Sequence, residues 1–218
     1  AAMRSGVASR PIADLRAYRH SLERYVYTSG TVMQPVFQAA SDQETRRIVY
    51  AEGEDDRVLR AAQVAVDESL ARPLLVGRPD VIAGKIRDLG LRLEAGRDYD
   101  VVGFDDHAFL EQAAAAYYKL GARKGLTRDY AAAEMRGNGT LVGAMLVLEG
   151  RADGMLCGTS GRYASHLKYV LDTIGMREGV PQLAAMHLLM LPQQTVFICD
   201  TYINPDPTAW QLADIALL

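Results

Sequence analysis

Residues 153–166 read DGMLCGTSGRYASH. The apolar run Met155-Leu156-Cys157 ends in Gly158-Thr159-Ser160-Gly161, and apolar residues at helical spacing begin at Tyr163. That order predicts a strand, a turn of small residues and a helix. The glycines permit close backbone approach, Thr159 and Ser160 add hydroxyls, and the new helix offers unpaired amides in its first turn. Such a turn is able to hold an anion, a phosphate above all. Neither the G-x-x-x-x-G-K-[ST] nor the G-x-G-x-x-G spacing is present, so an ordinary strand-to-helix turn of an α/β domain fits the residues equally well.

Upstream, the same alternation recurs. Residues 48–51 form a buried-strand pattern and residues 52–56 (EGEDD) an acidic helix start, which favours the positive end of the helix dipole. A helix follows over 56–71, with Val58, Leu59, Ala62, Val66 and Leu70 on one face. Residues 73–77 and 98–102 read as further strands, 80–89 and 107–120 as further helices. Strands alternating with helices predict βαβ units and a parallel sheet with right-handed crossovers. A basic turn over 121–126 leads to Thr127, a helix cap, and Gly137-Asn138-Gly139 ends that helix. Residues 140–148 are almost wholly apolar and read as a buried helix, because Ala, Met and Leu outnumber β-branched residues.

Downstream, Tyr163, Leu167, Val170, Leu171 and Ile174 form one helix face that ends at Gly175. Residues 183–191 are strongly apolar and 195–199 read as a strand. Asp200 and Asn204 then lie in the loop DTYINPDP at a strand's carboxyl end, where open α/β sheets bind ligands. Turn formation is the other reading of these two residues. Thr208 caps a helix with Trp210, Leu212, Ile215 and Leu218, and the uncapped apolar end reads as the expected end of a fragment. Residues 1–40 differ. A helix capped by Asp14 carries Leu15, Tyr18, Leu22, Tyr25 and Val26, and a short apolar set (Val32, Met33, Val36, Phe37) surrounds Pro35. This is too little for a core and reads as a connecting arm, with a polar boundary over 41–47.

Of the 218 residues, 49% are hydrophobic and 23% charged, which suits a globular protein. The net charge of -3 and the lack of a basic, aromatic-studded stripe argue against nucleic acid. No 18-residue apolar run and no signal-peptide core appear, so neither a membrane span nor secretion is expected. Cys157 and Cys199 make no disulfide framework, and a cytoplasmic location follows. G-x-S-x-G and H-E-x-x-H are absent, and His20, His107, His166 and His187 lack metal-ligand spacing. His166 stands out because it follows the central turn. Arg162 and Lys168 flank it and suit phosphate or carboxylate, with a solvated helix face as the alternative.

Several segments together resemble the phosphate acetyltransferases: 50–62 (YAEGEDDRVLRAA), 124–127 (KGLT), 152–158 (ADGMLCG), and Asp200 with 204–209 (NPDPTA). Residues 6–8 (GVA), 10–12 (RPI), Tyr18, Met33, Pro35 and Phe37 resemble the end of the catalytic part of bacterial hybrid malic enzymes. Those proteins carry a phosphotransacetylase-like domain behind a malic enzyme domain. The resemblance implies an α/β fold of open parallel-sheet α/β/α layers in two subdomains, preceded by an α-helical arm. Its boundaries would be 1–40 for the arm, 41–150 for the first subdomain and 151–218 for a truncated second one.

Active members resemble SGAxHSTADTIRPAL at the central turn. Here Ser165, Lys168 and Tyr169 stand where that pattern has aspartate, arginine and proline. Lysine cannot make the bidentate fork of arginine. The resemblance therefore implies an acetyl-CoA-sensing regulatory domain with no catalytic residue, metal or cofactor of its own. Its effector site would comprise Gly158, Thr159, Ser160, Arg162, His166, Lys168, Asp200 and Asn204. The parent protein would decarboxylate malate oxidatively to pyruvate with NADP and Mg or Mn. The implied partners are a small-molecule effector, the malic enzyme catalytic domain of the same chain, and further copies in a homo-oligomer. A working phosphate acetyltransferase and a structural oligomerisation module are the alternatives.

Overall fold

The computed structural model describes residues 14, 16, 18, 30–191 and 194–218. The arm enters it only in part. The Arg16 amide donates to Asp14 Oδ1 at 2.8 Å, the contact expected of a helix cap. Leu15, Leu22, Tyr25 and Val26 of that helix, His20, and the segments 6–8 and 10–12 lie outside the described residues. The apolar set around Pro35 forms helix α1 (Gly30–Ser41), with Val36 and Phe37 exposed.

The chain divides into two compact units. One is Ala39–Glu178, and the other is Gly179–Leu218 with the described residues up to Gln38. The first contains β1 (Arg47–Tyr50), α2 (Asp56–Asp67), β2 (Arg72–Val76), α3 (Pro79–Asp88), β3 (Asp100–Val102) and α4 (His107–Gly121). After a 3-10 turn (Ala122–Lys124) come α5 (Arg128–Met135), α6 (Gly139–Leu148), β4 (Gly154–Leu156) and α7 (Tyr163–Thr173). Four strands make one parallel sheet in the order β3-β2-β1-β4, with Val49 opposite both Leu74 and Met155.

Helices cover both faces, because successive residues of a strand point to opposite sides. Val49, Leu74 and Val76 pack with Phe109, Leu110, Tyr117, Met135, Val142 and Met145 of α4, α5 and α6. Tyr50 and Leu75 face the other way, onto Val58, Leu59, Ala62, Ile82 and Ile86 of α2 and α3. Helix α6 is buried from Thr140 through Leu146, which accounts for a run without a polar face. Its glycines let it lie against the sheet. A Cβ on Gly143 would stand 2.5 Å from Met155 Sδ, and one on Gly139 would stand 2.1 Å from the Ala51 carbonyl oxygen.

Three expectations shift. Helix α2 stops at Asp67, because Ser69 adopts φ 54 and turns the chain into β2, leaving Leu70 outside the helix. The boundary expected at residue 150 falls inside the first unit, because β4 pairs with β1 and completes its sheet. In the second unit β5 (Met186–Met190) and β6 (Thr195–Cys199) pair antiparallel rather than extending a parallel sheet. The Leu191 amide donates to the Gln194 carbonyl at 2.9 Å, and so short a link cannot make a parallel crossover. Helix α8 (Ala209–Leu217) starts from a capping box between Thr208 and Gln211.

Gly139→Ala forces a backbone shift at α6 and is expected to lower unfolding stability by about 1–3 kcal/mol. Gly137→Ala, where a Cβ meets nothing within 4 Å, should change it by less than about 0.5 kcal/mol. Urea unfolding of the two variants makes the comparison.

Candidate ligand-binding site

The strand order sets where a ligand can enter. β1 leads outward to β2 and β3 on one side, and the chain returns to place β4 on its other side. Loops leaving the carboxyl ends of β1 and β4 therefore diverge, the crevice at which open α/β sheets bind ligands. A cleft of about 800 Å³ opens here, lined by Glu52, Gly53, Arg57, Gly77, Gly139 and Ser160 among others.

The central turn forms the β4 side. Gly158 and Gly161 have φ of 97 and 95, a region costly for other residues. Three side chains from elsewhere brace it. Glu52 Oε1 accepts from the Gly158 amide at 2.9 Å, and Arg57 Nη2 donates to the Thr159 carbonyl at 3.1 Å. His166 Nε2 lies 2.7 Å from the Ser160 carbonyl oxygen, and its Nδ1 lies 2.7 Å from Thr140 Oγ1. A carbonyl only accepts, so Nε2 carries a proton. Gly161 makes room for this ring, since a Cβ there would stand 3.0 Å from Nε2. Burial, with the Glu52 charge adding to it, pushes the half-buried Cys157 thiol above its ordinary range against the opposing Thr140 hydrogen bond. That disfavours the nucleophilic thiolate.

The acidic run after β1 is paired throughout. Glu54 takes both ends of the Arg78 guanidinium at 3.0 and 2.8 Å, Asp55 takes Arg57 at 3.1 and 2.8 Å, and Asp56 takes Lys85 at 2.7 Å. Asp55 is also the cap of α2, accepting from the Arg57 amide at 2.8 Å. Hydrogen bonding from Arg57 lowers its carboxyl to about 2. Arg78 likewise holds Glu54 below the usual carboxylate range.

Of the residues expected from sequence, Gly158, Thr159, Ser160 and His166 converge at this turn. Arg162 sits at the cap of α7 with an exposed side chain that makes no hydrogen bond or ion pair among the described residues. Lys168 goes elsewhere. Its Nζ lies 2.5 Å from Asp172 Oδ2 and over the Tyr169 ring, and it lines a separate cavity. Asp200 and Asn204 belong to the second unit, where they organise their own loop. Asp200 accepts from the Ala185 amide at 2.8 Å, the Asn204 amide at 2.6 Å and Asn204 Nδ2 at 2.7 Å. Asn204 Nδ2 also donates to the Leu183 carbonyl at 2.8 Å. Burial opposes ionisation of Asp200, but these hydrogen bonds outweigh it and hold the carboxyl well below the usual range.

Glu52, Arg57 and Thr140 are the bracing residues that sequence reasoning missed. Glu52 lies 106 residues from Gly158, and only the β1–β4 pairing brings them together. Among the described residues no three His, Cys, Asp or Glu side chains are placed to hold a metal ion, and no helix is long and apolar enough to cross a membrane.

A model of the phosphate acetyl/butaryl transferases matches residues 31–218. Across all 218 residues the chain is 44% identical to the NADP-dependent malic enzyme of Salmonella typhimurium, and it spans 29% of that protein's length. It is 32% identical over 171 residues to the phosphate acetyltransferase of Nitratidesulfovibrio vulgaris, covering 78% of this chain and 24% of that one. The solved phosphotransacetylase of Streptococcus pyogenes superposes with a TM-score of 0.77 at 26% identity, covering 87% of this chain and 57% of its own.

A carboxyl held at about 2 stabilises the fold at pH above its ordinary value of 3.8, and that stabilisation is lost as pH falls toward about 2. Asp55→Asn removes it at every pH. Thermal melts from neutral pH downward should show the variant less stable at neutrality, with a smaller further loss on acidification than the parent.

Proposed function

Because the chain belongs to the phosphate acetyl/butaryl transferase family, we propose that it is the acetyl-CoA-sensing regulatory domain of a malic enzyme. The observation that carries this reading is the braced turn at the switch point. A glycine-rich turn and the positive end of α7 stand at a cleft wide enough for an extended ligand, with the exposed Arg162 guanidinium beside the turn. Arg162 would take a phosphate of acetyl-CoA through paired hydrogen bonds.

Binding without transfer is supported by the state of the reactive groups. Both ring nitrogens of His166 are engaged by Ser160 and Thr140, the Cys157 thiol is pushed up, and Lys168 is paired with Asp172. None stands ready as base or nucleophile. Similarity along the whole chain to malic enzymes supplies the parent activity in this proposal: oxidative decarboxylation of malate to pyruvate in the cytoplasm, in a homo-oligomer. NADP and Mg or Mn would be held by parts of the protein outside this chain, where they would supply hydride acceptance and charge stabilisation. Acetyl-CoA would alter malate turnover only by binding two states of the assembly with different affinity.

Calorimetric titration of this chain with acetyl-CoA should show saturable binding, weakened about tenfold by Arg162→Ala, as for loss of a hydrogen bond to a charged group. Absence of heat would leave only a scaffolding role. Acetyl phosphate formed at an enzymatic rate from acetyl-CoA and phosphate would replace the regulatory reading with transferase activity.

A further inference from the structure

The brace at the central turn contains a row of three groups, each able to donate or accept a hydrogen bond. His166 Nδ1 lies 2.7 Å from Thr140 Oγ1, and the Thr140 side chain also hydrogen-bonds Cys157. Thr140 is buried, so these two neighbours and not water complete its bonding.

The single proton of the hydroxyl fixes the direction of both bonds. Nε2 carries a proton toward the Ser160 carbonyl, so in a neutral ring Nδ1 accepts and Thr140 donates to it. The Thr140 oxygen then accepts from the Cys157 thiol. A charged ring bears a proton on Nδ1 as well and reverses both bonds. Nδ1 donates to Thr140, and the Thr140 proton turns to the Cys157 sulfur. Each state satisfies every group, and rotation of one hydroxyl connects them.

Glu52 gives the two states different surroundings. Its Oε1 lies 3.9 Å from Nδ1 and 2.9 Å from the Gly158 amide that it holds, and both side chains are only 17% exposed. Water screens such a pair weakly, so the carboxylate feels a charge on the ring. The neighbouring elements bring few other charges. α6 carries no titratable side chain. Arg57 of α2 is bound to Asp55 and the Thr159 carbonyl, and Arg162 caps α7 one turn before the ring. Tyr117 of α4, Glu134 of α5 and Asp172 of α7 engage Lys168 or Tyr169. Imidazole is the side chain whose ordinary charge change falls between about pH 5 and 8.

We propose that Cys157, Thr140 and His166 form a pH-operated switch at the central turn. Charging of His166 reverses the two hydrogen bonds of Thr140 and makes Glu52 a partner of the imidazolium as well as of the Gly158 amide. Where the turn holds an anion, as the acetyl-CoA reading requires, the added positive charge would strengthen its hold in acid. The switch itself does not depend on that reading.

NMR of the 218-residue chain, taken from about pH 8 to about pH 5, tests it through the His166 ring nitrogens, the Gly158 amide and the Cys157 Cβ. At the upper end the ring should carry a proton on Nε2 and none on Nδ1. As the ring takes its second proton, the Gly158 and Cys157 shifts should move with the same midpoint. His166→Gln keeps a donor and an acceptor but cannot charge, and should leave both shifts flat over this range. Thr140→Val should uncouple Cys157 from the ring while Gly158 still follows it, and Thr140→Ser, which keeps the hydroxyl, should restore the coupling. The parent and His166→Gln decide the question even where Thr140→Val fails to fold. Acetyl-CoA is absent throughout, so the outcome is separate from that of the calorimetric titration. Any of five results would overturn the proposal: a neutral ring protonated on Nδ1, a ring that never charges in this range, midpoints that differ, a Cys157 response that survives Thr140→Val, or a pH response unchanged in His166→Gln, which would assign it to Glu52.

Discussion

The parallel pairing of β4 with β1 is the constraint on which the rest depends. It requires the chain to travel out through β2 and β3, return through three helices, and re-enter beside the strand it began with. The return is possible because α6 has no polar face to keep wet and no Cβ at the two positions where it meets Ala51 and Met155. Once β4 is seated, the loops after β1 and β4 stand opposite each other. Glu52 then reaches the Gly158 amide, and Arg57 the Thr159 carbonyl. The cleft thus follows from strand order, and its shape from two hydrogen bonds across it.

The charges around that cleft act through geometry more than through energy. Arg57, Arg78 and Lys85 are substantially solvated, and exposed ion pairs contribute little to stability. What they do is direct side chains. Arg57 is anchored at one end by both oxygens of Asp55, which leaves Nη2 placed to hold the Thr159 carbonyl. Asp55 in turn is fixed by capping α2. A run that looks like an ordinary helix start thereby also carries the scaffold of the turn opposite.

How far the sequence revealed this differs by level. Alternating strand and helix periods were enough for the parallel sheet, because burial on both faces leaves apolar runs with little ambiguity. Caps at Asp55, Thr127 and Thr208 were legible or adjacent to legible signals, since a capping side chain acts within three residues. Contacts across a hundred residues were not legible. Nothing local in Glu52 or Thr140 announces that one will meet Gly158 and the other His166. The antiparallel β5–β6 pair was hidden for a related reason. Apolar runs report burial, and the direction of pairing is set by the length of the link between them.

Helical geometry explains why His166 and Lys168 face different sides of α7. Residues four apart on α7 share a face, while residues two apart are separated by roughly 200° of rotation. His166 lies toward the turn's side of the helix, with its ring against the Ser160 carbonyl. Lys168 is two beyond His166 and is carried to the opposite side, where Asp172, four further on, meets it. Proximity in sequence to a ligand-shaped turn is therefore no evidence of a shared ligand. The same helix holds the turn through His166 and lines a different cavity through Lys168. A lysine at this position lacks the planar fork of an arginine but keeps a point charge, which Asp172 holds.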